Sequence, residues 1–237
     1  PSTSSTPTSR TTPRDARPTR ASSATATSSS TGSSSEPTRS ASTRSPPATT
    51  PGSSSTDCVK LAIAKFCPRQ PDLLVSGING GLNVGINVLY SGTFAAATEG
   101  ALHEIPSVAV SLEYDEHPRF DRGAEIAVGV IEQLLSRDAF RNQKLYNLNI
   151  PTSATRGASS LRVVPMGVAR WPAELEERRD PKGRRYYWAS GTPPITFPQE
   201  TDLTAIHEGH VTLTPLSVDR TQTAQVEEMK SWGLALR

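Results

Sequence analysis

The residues best suited to chemistry in this chain lie between Gly77 and Thr93. Gly77, Gly80, Gly81 and Gly85 alternate with Asn79, Asn83 and Asn87, and the run ends on Ser91-Gly92-Thr93. Four glycines in nine residues let a backbone turn at positive φ and approach a ligand closely. Ser91 stands where a helix N-cap belongs, ahead of Ala95, Ala96 and Ala97. The free N–H groups of that first turn, at the positive end of the helix dipole, suit a phosphate. Leu73, Leu74 and Val75 form the short apolar run of a buried strand just upstream. Strand, glycine-rich loop and helix N-terminus together predict an anion site at the carboxyl end of a parallel strand, where open α/β sheets hold their ligands. A tight connection with no ligand is the alternative reading. No Gly-Lys-Ser/Thr ending is present, and neither is the spacing of a dinucleotide fingerprint, so those two phosphate loops are excluded.

Other reactive side chains read as structural. Asp115, Glu116 and His117 form a polar loop cluster better explained by solvation than by a metal. His207, Glu208 and His210 miss the His-Glu-x-x-His spacing that sets two histidines one helical turn apart. The basic run Arg178 to Arg185 reads as a solvated hairpin tip, and Asn87 as a loop residue. Cys58 and Cys67 flank one predicted helix, too far apart for a disulfide. Free, mostly buried thiols are expected, in keeping with a reducing cytoplasm.

The elements that position these residues begin after an unusual segment. Residues 1–56 are almost entirely Ser, Thr, Pro, Ala and Arg and contain no Leu, Ile, Val, Met, Phe, Tyr, Trp or Cys. Nothing there can offset the entropy of ordering, so a disordered low-complexity tail or linker is expected. A second reading also fits: a GC-rich gene translated one base out of frame yields this composition. The segment carries six arginines against Asp15 and Glu36, a net of +4, which leaves −2 for residues 57–237 of the chain's +2. A slightly acidic globular part argues against a nucleic-acid partner. No stretch has the roughly 20 apolar residues of a membrane span.

Then the pattern becomes regular. A helix is expected from Asp57 to Phe66, capped by Ser55 or Thr56, with Val59, Ile63 and Phe66 on one face and Pro68 as its stop. After the strand, loop and helix already described, strands are expected over Ser107–Leu112 and Lys144–Ile150. A helix from Phe120 or Asp121 to Ser136 lies between them, with Ile126, Val130, Leu134 and Leu135 at helical spacing. This alternation predicts an α/β fold, a Rossmann-like parallel sheet layered with helices, over residues 57–150. Residues 151–237 change character. A strand is expected at Leu161–Met166 and a charged hairpin from Trp171 to Ala189 turning at Asp180-Pro181-Lys182-Gly183. A short helix follows from Thr201-Asp202 to His207, then a strand over His210–Leu216 and a helix over Thr223–Leu234. A lone hairpin is marginal, so Trp171, Tyr186, Tyr187 and Trp188 are expected to pack on a second subunit.

Ser76-Gly77-Ile78-Asn79, Asn83-Val84-Gly85 and Val88-Leu89-Tyr90-Ser91-Gly92-Thr93, with Ala95-Ala96-Ala97 and Glu99-Gly100, closely resemble the SurE family of metal-dependent 5′/3′-nucleotidases. Asp57-Cys58-Val59, Ile105-Pro106-Ser107, Asn149-Ile150-Pro151, Asp180-Pro181-Lys182-Gly183, Thr201-Asp202 and Thr214-Pro215-Leu216 extend the resemblance over residues 57–237. The resemblance implies a Rossmann-like domain followed by an oligomerisation region forming homodimers or homotetramers. It implies hydrolysis of nucleoside monophosphates with a divalent metal, Mg²⁺ or Mn²⁺. Asn79 matches the family's asparagine metal ligand, and Asn83, Ser91, Gly92 and Thr93 match residues around the phosphate. The family also uses an Asn-Asp-Asp-Gly motif and a later serine, which should precede Asp57. No adjacent Asp pair stands in residues 1–56, so no catalytic residue is identifiable and little hydrolysis is expected of this chain.

Overall fold

Short apolar-rich runs build the centre of the molecule, a six-stranded sheet. The computed structural model describes residues 24–26, 54–169, 174–190 and 198–236. The strands are β1 Ala24–Ala26, β2 Leu74–Gly80, β3 Ser107–Leu112, β4 Leu145–Ile150, β5 Leu161–Val163 and β8 Val211–Pro215, in the order β1-β2-β3-β4-β8-β5. The first four run parallel; β8 joins β4 antiparallel and β5 lies parallel to β8, making the sheet mixed. A separate antiparallel hairpin pairs β6 Glu174–Arg179 with β7 Arg185–Ser190.

Helices cover both faces. On one, Val108, Val110, Leu112, Tyr146, Leu148, Ile150, Val211 and Leu213 pack against Ala127, Val130 and Ile131 of α3 (Phe120–Ser136). On the other, Leu74, Ala109 and Leu145 meet Phe94, Ala96, Ala97 and Ala101 of α2 (Gly92–Leu102) and Val59 of α1 (Ser55–Leu61). Small residues let α2 sit close to the sheet. A Cβ at Gly100 would lie 2.4 Å from Ser107 Oγ and 2.8 Å from Leu74 Cδ1.

Several sequence expectations shift. Ser54, not Ser55 or Thr56, caps α1 in a reciprocal box with Asp57, and the helix closes in a π turn over Ala62–Phe66. Phe66 is exposed rather than buried, and so are Leu135 and Cys58; Cys67 is half-buried. The thiols are therefore not core residues. Val59 takes the buried position of its turn, and residue 58 falls about 100° round the helix from it. The strand after Pro151 stops at Val163, because Pro165 has no N–H for the ladder. The terminal helix α6 spans only Thr223–Lys230 before a turn that reaches Gly233 at φ +62. A one-turn helix, α4 Thr152–Arg156, and a 3₁₀ turn, Gly85–Tyr90, lie where loops are expected. Of residues 1–56, expected to lack order, those described are β1, which pairs with β2, and residues 54–56, which cap and open α1; the rest of that segment and Trp171 lie outside the described residues. Among the described residues no helix is long and apolar enough to cross a membrane.

Candidate functional site

A register shift in β2 creates the site. Ser76 pairs with Ala109 of β3, but it is Asn79, not Ile78, that pairs with Ser111. One extra residue in β2 reverses which face each later side chain takes. Ile78 thereby joins the α3-side core, and Asn79 turns to the α2 side. Gly77 makes this feasible: its φ is +129, and a Cβ there would sit 2.2 Å from Val110 O. The bulge sets Asn79, Ser111, Asn149 and Thr212 in one row across β2, β3, β4 and β8. On this face the apolar layer of Ala109 and Leu145 gives way, toward the carboxyl ends of β3 and β4, to Ser111, Asn147 and Asn149, all fully buried.

The loop after β2 lies over that polar row and is held by it. Asn149 Oδ1 accepts the Asn83 backbone N–H (2.8 Å), while Asn149 Nδ2 and Asn147 Nδ2 donate to Asn83 O (3.2 and 2.8 Å). Asn83 Nδ2 donates to Ser111 Oγ (2.7 Å) and to Asn79 Oδ1 (3.1 Å), and Ser111 Oγ donates to Asn79 Oδ1 (2.8 Å). Asn79 Nδ2 completes the network by donating to Gly81 O (2.7 Å). Asn79 and Asn83, expected together from the sequence, do meet. Ser91, Gly92 and Thr93 begin α2 at the far end of the 3₁₀ turn. Ser91 is its N-cap, with Oγ accepting the Phe94 N–H at 3.0 Å. The N–H groups of Gly92 and Thr93, at the first helical positions, have no acceptor within the helix. Among the described residues no hydrogen bond joins this turn to the Asn79–Asn83 pair.

The donor set is neutral. Both lone pairs of Asn79 Oδ1 are engaged, and among the described residues no group of three or more His, Cys, Asp or Glu could hold a metal ion. Hard divalent cations are bound through several oxygens, carboxylates prominent among them. One doubly engaged amide oxygen does not fit Mg²⁺ or Mn²⁺ by itself. The remaining acidic candidates are committed elsewhere: Asp115 pairs with Arg156 and accepts the His117 N–H, and Glu113 accepts both the N–H and the hydroxyl of Thr152. Two of the hairpin's basic residues are paired within it, Arg184 with Asp180 (2.8 Å) and Arg178 with Glu176, the Arg178 guanidinium also lying over the Trp188 ring. His210 bonds Ser160 and lies 3.8 Å from Glu208.

Sequence reasoning missed Ser111, Asn147, Asn149 and the carboxylate of Asp202. Asn147 and Asn149 did leave a signal: two asparagines at i, i+2 inside an otherwise apolar strand must share one face and find partners there. Asp202 is fully buried, its two oxygens accepting the N–H groups of Gly85 and Gly167, each at 2.8 Å. Burial pushes its carboxyl above the ordinary value, against the pull of those two N–H groups.

Comparison with known proteins adds an independent line. The model of the family described as Survival protein SurE matches residues 16–173. A 5′-nucleotidase SurE of Rhodopirellula baltica is 52% identical over 183 residues, covering 76% of this chain and 72% of that protein. One from Chloroflexus aggregans is 40% identical over 188 residues, covering 78% and 74%. The crystal structure of the SurE protein from Aquifex aeolicus superposes with a TM-score of 0.65 at 29% identity, covering 76% of this chain and 73% of that one.

Proposed function

This chain belongs to the SurE family, and from that premise we propose that it is a phosphomonoesterase scaffold acting on nucleoside monophosphates. In this reading the N–H groups of Gly92 and Thr93, at the positive end of α2, receive the phosphate, with Ser91 fixing the turn. Asn83 holds Asn79 and Ser111 in place through both N–H bonds of its side-chain amide. Asn79 is the family's metal-facing position. Its oxygen is already engaged by Asn83 and Ser111, and the described part of the site offers no carboxylate beside it, so hydrolysis by this polypeptide alone is weak. The observation that carries the reading is the neutral Asn79–Asn83–Ser111 triangle at the carboxyl end of β2, lacking any acidic partner among the described residues. That same observation supports a second reading, a phosphate-binding, oligomerising SurE-like protein without catalysis. The exposed Tyr186, Tyr187 and Trp188 on a hairpin outside the main sheet favour a homodimer or homotetramer in either case. Free thiols at Cys58 and Cys67 suit a reducing, cytoplasmic setting.

The experiment is phosphate release from adenosine monophosphate by the purified chain, with and without Mn²⁺, alongside ³¹P and amide NMR titration with the same nucleotide. The expected result is nucleotide-dependent shifts at Gly92 and Thr93 with release at background. Sustained Mn²⁺-dependent release would overturn the weak-hydrolysis reading. Silence of Gly92 and Thr93 at millimolar nucleotide would overturn the phosphate site.

A further inference from the structure

We infer that Asp202 is a positioning residue: its buried carboxylate, bridging the backbone N–H groups of Gly85 and Gly167, fixes the connector that sets Asn83 against the start of α2. The two halves of the proposed site are joined only through Gly85–Tyr90 along the chain. Asn83 is pinned to the sheet by Asn147 and Asn149. Gly85, two residues on, is pinned by a different part of the molecule. Its N–H donates to Asp202 Oδ2, Gly167 N–H donates to Asp202 Oδ1, and the Asp202 N–H donates back to Pro165 O (2.9 Å). Thr201 caps α5 (Asp202–His207) in a box with Thr204, which holds the carboxylate at the first helical position.

Three backbone segments converge where no side chain fits. Gly85 sits at φ +56, and a Cβ on it would lie 2.8 Å from Gly167 O and 2.9 Å from Leu203 Cδ1. A Cβ on Gly167 would come 2.8 Å from the same Leu203 atom. Val84, Leu203, Ile206 and Leu82 form a small apolar cluster beside the junction. The residue type carries meaning. Asp202 is 0% exposed and forms no ion pair among the described residues, an expensive way to bury a carboxylate. A neutral amide would be cheaper, but it has one acceptor oxygen and would turn its NH₂ on one of the two glycine N–H groups. With one N–H on each oxygen, as here, a carboxylate accepts from both and an amide in the same place accepts from one. The cost of burial is thus tied to holding Gly85 and Gly167 together, across 117 residues of chain on the Gly85 side.

The functional arm of this inference rests on the phosphate reading above; the structural arm does not. The test compares wild type, Asp202→Asn and Asp202→Ala, with Asp180→Asn at the hairpin tip as a remote control. Amide hydrogen exchange is followed at Gly85 and Gly167, and amide shifts at Ser91, Gly92 and Thr93. In Asp202→Asn, exchange at Gly85 or Gly167 should accelerate roughly tenfold or more, the loss expected for a charge-assisted buried bond. The Ser91–Thr93 amides should move with it, and wild-type shifts induced by inorganic phosphate at Gly92 and Thr93 should require about tenfold more phosphate. Acceleration at the two glycines with Ser91–Thr93 unmoved would overturn the inference, leaving a local tie only. Unchanged exchange at both glycines would overturn it outright. Should both variants fail to fold, the wild type decides: Gly85, Gly167 and Thr93 amides must share one acid transition, and separate or absent transitions refute the link. A wild type blind to phosphate fails the phosphate reading alone, and the exchange and shift data still decide on Asp202.

Discussion

Asn149→Ala should destabilise the chain distinctly more than Asn147→Ala, although both asparagines are fully buried neighbours on one face of β4. Asn149 makes two hydrogen bonds to the backbone of Asn83, accepting its N–H at 2.8 Å and donating to its C=O at 3.2 Å. Truncation leaves the C=O with Asn147 as a partner, but the N–H loses its acceptor. One lost bond is worth about 1 kcal/mol, and an orphaned buried donor costs about 1–3 kcal/mol, so the expected loss is about 2–4 kcal/mol. Asn147 makes one bond to the same C=O, which keeps Asn149, and among the described residues its own Oδ1 has no partner. Its removal should cost about 1 kcal/mol. The cavity contribution is the same Asn→Ala truncation at fully buried sites, so it largely cancels in the comparison. Urea unfolding of the wild type and both variants, at constant m-value, gives the difference directly. An Asn147→Ala variant as destabilised as Asn149→Ala would refute the claim that the Asn83 N–H is what the strand secures.

Two further outcomes follow from the same packing and charge. Gly100→Ala should lift α2 off β2 and β3, because its Cβ would fall 2.4 Å from Ser107 Oγ and 2.8 Å from Leu74 Cδ1; a loss of about 1–3 kcal/mol in thermal or urea unfolding is expected. At the hairpin tip, the N–H of Arg184, then its guanidinium, holds the Asp180 carboxyl below its ordinary value of 3.8. A depressed folded pKa contributes stability that is present above the unfolded value and lost as pH falls through the folded one. The Gly183 amide, which donates to Asp180 O at 2.9 Å, should therefore exchange faster only below about pH 3.8, and Asp180→Asn should remove that transition.

The strand, loop and helix at the heart of the site were legible because their signals are local. Gly77, Gly81 and Gly85 all take positive φ, as a glycine-rich turn requires, and Ser91 caps α2 through its own hydroxyl. Strand β3 matches its expected bounds, since an apolar run between Pro106 and a polar loop leaves little choice. What the sequence hid depends on contacts far along the chain. Thr201-Asp202 reads as a helix cap, and so it is, but the partner of the Asp202 carboxylate lies 117 residues upstream. Phe66 looks like a core residue by spacing; the π turn that ends α1 shifts it off the helical face, leaving it 64% exposed.

The bulge at Gly77 shows why the site and the core cannot be separated in this fold. An unbroken β2 would aim Ile78 at the polar row and Asn79 at the α3-side core. That arrangement would bury an amide among Val110, Leu112 and Ile150 and place an apolar side chain beside Ser111 and Asn149. Both errors are corrected by one extra residue, and that residue must be a glycine because Val110 O occupies the space of a Cβ. The same residue therefore sets the hydrophobic register of β2 and the direction of the asparagine. A substitution at Gly77 would lose stability and the site geometry together. The glycines of this stretch are thus not spacers. Gly77 aims Asn79, and Gly85 admits the backbone contact through which the C-terminal region grips the loop.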